Sequence, residues 1–222
     1  MSAERESEVC AATVGDLKLL AGPVRVVDSD PEWPHQFGAE ADSIRRVLGT
    51  RVFLLEHAGS TSVPSLPAKP VIDIVVAVAD SADECRYVPD LEAAGYRLCI
   101  REPEWHEHRM LRGSTPEVNL HVFTMGSPEI ARMLLFRDWL RESAEDRELY
   151  SVAKRALAKK AWKYMQQYAD AKTEVIADIM ARADTWAAGR GVTLSLGNPP
   201  TVSHLPRSTT VRSAAPVAHS SW

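Results

Sequence analysis

The residues best suited to chemistry lie between His57 and Val76, in the stretch HAGSTSVPSLPAKPVIDIVV. Gly59 allows backbone angles that a side chain forbids. Ser60, Thr61 and Ser62 put three hydroxyls and several N–H groups at one bend, the makings of a concave nest for an anion. Lys69 adds a positive charge. Asp73 sits within Val71–Val78, a run too apolar and too β-branched for a loop. A carboxylate there is costly unless it is solvated, paired or bound to a metal. Together these residues suggest an anion site beside an acid that is paired or binds a metal. The competing reading is a Ser/Thr turn between two strands, with Asp73 capping nearby backbone.

Further candidates lie downstream. His121 falls in the middle of the strand pattern Glu117–Phe123 and suits a metal ligand or general base, since imidazole titrates near neutrality; otherwise it is a hydrogen-bonded histidine on a sheet face. His106 and His108 flank Glu107 and share a face if that stretch is extended, but His-Glu-His is not the helical His-Glu-x-x-His zinc pattern. Arg109 and Arg112 can hold phosphate or carboxylate through paired N–H groups, or pair with acids at the surface. Arg137, Asp138 and Arg141 form a charged group from which one arginine could face a ligand. Tyr150 and Lys154, and again Tyr168 and Lys172, stand four residues apart on predicted helices, so each pair shares a face. That face is either a wall for an anion or a solvated surface. Glu56, just before the turn, is a candidate second carboxylate.

The elements that must position these groups follow from periodicity. Val24–Val27 and Arg51–His57 read as strands, separated by an amphipathic helix with Trp33, Phe37, Ala41, Ile44 and Leu48 on one stripe, ending near Gly49. Pro64, Pro67 and Pro70 keep the next segment extended. The strand Val71–Val78, a helix over Ser81–Gly95, and strands at Tyr96–Ile100, from His108 and over Glu117–Phe123 complete the first half. Strand alternation puts Asn119, His121 and Phe123 on one face, and Asp73 with Val71 and Val75. The second half is helical. One helix follows Ser127, another runs from Ser143 to about Ala161 with Leu149 and Val152 inward, and a third covers Lys163–Ala188. The order implies an α+β domain (α/β mixed), a mixed sheet flanked by helices with a C-terminal helical block. No Gly-x-Gly-x-x-Gly follows a strand, which argues against a dinucleotide fold.

Composition narrows the setting. With 222 residues, 45% of them apolar, the chain suits one domain with extensions: 1–22 as an N-terminal extension, 23–188 as the domain, and 189–222 as a disordered basic tail rich in Ser, Thr and Pro. No apolar run reaches the ~20 residues of a membrane span, and MSAERESEVC lacks a signal-peptide core. Cys10, Cys85 and Cys99 fit neither a disulfide framework nor a zinc site, so a cytoplasmic location is expected. The net charge is −4, and the tail carries Arg190, Arg207 and Arg212 but no acid, so the remainder is more acidic still. Such a body is a poor match for general nucleic-acid binding, though not for a small phosphorylated ligand or a protein partner.

Over about Val24–Ala188 the chain resembles the GrpB family, a group of small bacterial proteins placed in the nucleotidyltransferase superfamily. The resemblance rests on HAGSTSVPSLPAKPVIDIVV, then VNLHV at Val118–Val122, then FRDWLR at Phe136–Arg141, followed by Tyr150, Lys154, Tyr168 and Lys172. It implies a nucleotidyltransferase-like sheet in which a Gly-Ser turn, here Gly59–Ser60, holds the phosphates of ATP or another nucleotide. It also implies magnesium bound by paired acids. Asp73 matches the first acid, but Val75 stands at the second, and His121 is the counterpart suggested for a third on a later strand. Ser65 occupies a position where the family usually has Gly. In some bacteria a similar domain is joined to dephospho-coenzyme A kinase. Three functions follow as alternatives: a magnesium-dependent nucleotidyl transferase, a non-catalytic module for a nucleotide or coenzyme A precursor, and a condensation enzyme that activates a carboxylate by adenylation.

Overall fold

A computed structural model describes residues 3–17 and 19–190; the expectations for 191–222 lie outside the described residues. Five strands form one mixed sheet: β1 (Leu54–Ala58), β2 (Ile72–Val78), β3 (Arg97–Glu102), β4 (His108–Ser114) and β5 (Glu117–Thr124), in the spatial order β1-β2-β5-β4-β3. Only β2 and β5 run parallel; the other neighbouring pairs are antiparallel. The parallel pair needs a crossover, and the β3–β4 hairpin lies within it. Both faces of β2 are covered, so all seven of its residues are buried. That double burial explains why it reads as a continuous apolar run rather than an alternating one.

On one face pack α2 (Trp33–Leu48) and α3 (Val88–Ala93). The stripe Trp33, Ala41, Ile44 and Leu48 of α2 buries against Ile72, Ile74, Leu120 and Val122. Gly49 closes this helix at φ +57, as the periodicity anticipates. On the other face pack α4 (Pro128–Glu142), α5 (Ala144–Ala158) and α7 (Thr173–Arg190), over Val75, Ala77 and Phe123. The short α6 (Met165–Asp170) precedes α7. At the N-terminus α1 (Ala3–Ala12) is tied to the domain: Arg5 pairs with Asp170, and Thr13 bridges Ile100 at the free side of β3.

Several sequence expectations change. The segment predicted as helical over Ser81–Gly95, with Pro89 as a point of interruption or restart, is a 3-10 turn at Glu84–Arg86 and a six-residue helix that restarts with Pro89 in its first turn, since proline is tolerated only there. The helix expected over Lys163–Ala188 breaks at Ala171–Lys172, and α7 runs on to Arg190. Val24–Val27 contributes one bridge, Val27 to Ala68, rather than a strand. On α5 the helical period is right but its phase is not. Leu149 and Val152 are exposed, while Asp146, Tyr150, Ser151 and Lys154 face inward. An apolar-stripe argument fails where polar residues are turned inward to build a site.

Candidate functional site

The site forms where β2, the turn after β1, the loop at Lys69, α5 and the α6–α7 junction meet. Its cavity is lined by Ser60, Thr61, Ala68, Lys69, Val71, Asp73, Lys154, Tyr168 and Lys172. Gly59 sits at φ +64 and ψ −171, a region open only to glycine. Any Cβ there would collide with the Asp73 carboxylate, whose own Cβ lies 2.9 Å from that position. The glycine is therefore required both by its backbone and by the approach of the acid.

The following residues, Ser60–Ser62, form a single 3-10 turn. Two of its hydroxyls serve the fold: Ser62 Oγ donates to the Gly59 carbonyl at 2.6 Å, and Thr61 Oγ1 to the Val71 carbonyl at 3.2 Å. Ser60 Oγ faces the cavity and accepts from Lys154 Nζ at 3.0 Å. Lys154 also donates to the Pro67 carbonyl and lies 4.6 Å from the centre of the Tyr150 ring. Lys69 and Lys172 both approach the ring of Tyr168, at 5.9 and 5.1 Å from its centre. The two Tyr-x-x-x-Lys faces are therefore buried walls of the cavity and not solvated helix faces, since Lys154 is 3% and Lys172 1% exposed.

Three lysine side chains thus surround one carboxylate. Among the described residues no acid pairs directly with Lys69, Lys154 or Lys172, and Asp73 is the one acid lining the cavity. Burial lowers all three lysines, and mutual repulsion adds to the effect on Lys154 and Lys172. Lys154 is pushed down to about 7, and Lys172 well below its ordinary range. Burial acts to raise Asp73, but the proximity of His121, the Asn119 amide and the Lys69 charge outweigh it and hold the carboxyl below its ordinary value. Asn119 Nδ2 donates to Asp73 Oδ1 at 2.8 Å, from the position directly beside it on β5. Here the sequence reading had shared-face placement but no role. The parallel register, which no local pattern shows, makes Asn119 the immediate partner.

His121 also faces Asp73, with Nε2 3.8 Å from Oδ1, and is buried. Its Nδ1 lies 3.0 Å from Nε2 of His108. The expectation that His106 and His108 share an extended face is corrected. His106 and Glu107 adopt φ of +54 and +51 in the β3–β4 turn, and His108 alone enters the strand.

The arginines are placed elsewhere. Arg109 lies on the opposite face of the sheet from Asp73, since it stands across from Val122; it pairs with Glu84 at 2.6 Å and donates to the Glu107 and His108 carbonyls. Arg112, three residues on, stands across from Asn119 on the cavity side. Arg137 ties α4 to the edge strand, bonding Glu56 at 2.8 Å, the His57 carbonyl at 3.0 Å and Asp138 at 2.7 Å. Neither Arg109 nor Arg137 reaches the cavity, and Glu56 is engaged by Arg137 rather than standing beside Asp73.

For magnesium the protein's own donor set is a single carboxylate, Asp73, which would need a ligand's phosphate to complete the site. That hard cation takes oxygen ligands, commonly more than one carboxylate or a carboxylate plus phosphate. The cavity offers one carboxylate already bonded to Asn119 and facing three lysines. Val75, at the second acid position, is fully buried among apolar neighbours. Among the described residues no three His, Cys, Asp or Glu side chains gather in a way that could hold a metal.

The model of the GrpB protein family matches residues 23–182. The chain belongs to the GrpB family. A UPF0157 protein of Halalkalibacterium halodurans is 51% identical over 179 residues, covering 81% of this chain and 92% of that protein. The crystal structure of GrpB from Enterococcus faecalis superposes with a TM-score of 0.63 at 32% identity, covering 73% of this chain and 99% of that one. A dephospho-CoA kinase of Mycolicibacterium paratuberculosis is 30% identical over 201 residues, but this GrpB chain matches only 49% of its length. The α+β fold and family membership expected from the sequence both hold. No helix among the described residues is long and apolar enough to cross a membrane.

Proposed function

We propose that this GrpB protein binds the phosphate end of a nucleotide or another small phosphorylated molecule, with lysines doing the work that magnesium does in related sites. The observation that carries the reading is the cluster of three buried lysines around one carboxylate, with Lys154 bonded to Ser60 of the turn. Burial disfavours the charged form of these amines, and an entering phosphate supplies the negative charge that lets them protonate. Ser60 Oγ adds a hydroxyl to the same pocket. The cavity as it stands is narrow, so the lysine side chains must swing outward to admit the anion. Their long flexible stems allow this.

The resemblance to nucleotidyltransferases supports a nucleotide as the class of ligand, and the kinship with part of a dephospho-CoA kinase makes a coenzyme A precursor a natural second choice. Asp73 faces the same pocket, which favours group transfer or adenylation over binding alone, with Asp73 as the base. The test is calorimetric titration of ATP, CTP, dephospho-coenzyme A and pyrophosphate into wild type and Lys154→Met. At least one of them should bind, and Lys154→Met should weaken it by about 10- to 100-fold, the loss of one charge-assisted hydrogen bond. Binding that is indifferent to Lys154 would remove this reading.

A further inference from the structure

Four side chains, one from each of four adjacent strands, make a polar row across the sheet. Glu102 on β3 reaches His108 on β4, His108 reaches His121 on β5, and His121 faces Asp73 on β2. The separations are 2.7 Å from Glu102 Oε2 to His108 Nδ1, 3.0 Å from His108 Nε2 to His121 Nδ1, and 3.8 Å from His121 Nε2 to Asp73 Oδ1. The two imidazole planes differ by 18°, with ring centres 5.2 Å apart. Both histidines are 1% exposed, with Trp105 and Phe123 against His108. Sequence reading gave Glu102 no role, because the row exists only through strand pairing.

Proton counting assigns this row a function. It has three gaps, and each needs one proton to become a hydrogen bond. Two carboxylates and two neutral imidazoles bring only two N–H protons, whatever tautomers are chosen. One gap must therefore stand open. The short contact at Glu102 and the 3.0 Å contact between the rings hold the two protons. The gap at Asp73, 3.8 Å and longer than a hydrogen bond, is the open one, and among the described residues His121 Nε2 is a buried nitrogen with no partner at hydrogen-bond length. We infer that Glu102, His108, His121 and Asp73 act as one proton acceptor whose vacant place opens toward the lysine cavity, so that a hydroxyl or amine held there beside the phosphate is deprotonated.

The transfer balances. Asp73 takes the proton from the ligand's O–H or N–H and passes it to His121 Nε2. His121 gives its Nδ1 proton to His108 Nε2, and His108 gives its own to Glu102, which holds it; once the ligand leaves, the protons step back along the row and Asp73 releases the extra one through the cavity, restoring Nδ1–H on both rings. No co-reactant is consumed. Asp73 is the group that touches the ligand; His121, His108 and Glu102 position and relay. The row thus extends the phosphate-site reading, on which the identity of the proton donor rests. Other titratable groups facing the Asp73 end are Lys69, Lys154 and Lys172, with His57 acting from the opposite face.

The test is nitrogen-15 NMR of the histidine rings across a pH titration, on wild type and Glu102→Gln. In the proton-poor form both His108 and His121 should carry hydrogen on Nδ1, the tautomer that free imidazole disfavours. Both should take up their proton together, and Glu102→Gln should lower the midpoint of both by about one pH unit or more, although Glu102 does not touch His121. Hydrogen on Nε2 of His121 in the proton-poor wild type overturns the proposal without any variant. So does independent titration of the two rings with His121 unmoved by Glu102→Gln. Pyrophosphate titrated into the same wild-type sample separates the two claims: failure to bind it counts against the phosphate reading and leaves the shared proton to be judged by the rings alone.

Discussion

Asp73 has opposite duties in the two ways of using this pocket, and that makes it the most informative residue. In a magnesium site the carboxylate is a ligand, and its loss abolishes binding. In a lysine site it is the single negative charge facing an incoming anion, and it repels that anion while pairing the lysines. Asp73→Asn keeps the size of the side chain and removes the charge. Phosphate affinity should therefore rise several-fold in the variant, measured by calorimetry with pyrophosphate, while stability without ligand falls. A drop to no binding would place Asp73 among the ligand's essential contacts. At this scale the sequence was informative about Asp73, Ser60, Lys69, Lys154 and Lys172, because a charge in an apolar run or a repeated Tyr-x-x-x-Lys spacing is visible along one segment. It misled on Arg109 and Arg137, whose duties depend on which face of the sheet they meet and on acids distant in the chain, Glu84 and Glu56.

The turn between β1 and β2 is the element that brings the proposed phosphate site and the acid together, and two substitutions within it should act with opposite sign. Gly59→Ala puts a Cβ at φ +64 against the Asp73 carboxylate, so about 3 kcal/mol or more of stability should be lost. Ser65 is a non-glycine residue at φ +64, held by its N–H to Ser29 Oγ. Ser65→Gly should relieve that strain, offset in part by the added freedom of the unfolded chain, for a gain of about 0.5–1 kcal/mol. Urea midpoints for both variants decide the matter; a stabilising Gly59→Ala would contradict the geometry. Element boundaries were readable from the sequence wherever periodicity was strong, as in α2 and β2. They failed on α5, where the inward stripe is polar, and at Ala171–Lys172, where the helix breaks.

For the whole molecule, the buried lysines couple stability to pH. Lys154 titrates near 7 in the folded chain against about 10.4 when unfolded, and Lys69 and Lys172 shift in the same direction. Between these values the unfolded state binds more protons than the folded one, so unfolding free energy rises with pH. The penalty is complete below about pH 7 and is relieved as pH climbs toward 9, so Tm should increase over that window. Saturating pyrophosphate should flatten the rise, because the bound anion keeps the lysines charged in the folded state. A Tm that falls from pH 7 to 9 without ligand would mean that the lysines are not buried as described. Sheet order and the row from Glu102 to Asp73 were not legible in the sequence, since the pairing of β2 with β5 joins residues about 45 apart without a local signal.

The most direct measurement is calorimetric titration of ATP into the wild-type protein in EDTA, repeated with excess magnesium. Binding in EDTA, no weaker than with magnesium, is the expected result, since the lysines meet the phosphates without a metal. Binding that is absent in EDTA and restored by magnesium would contradict it.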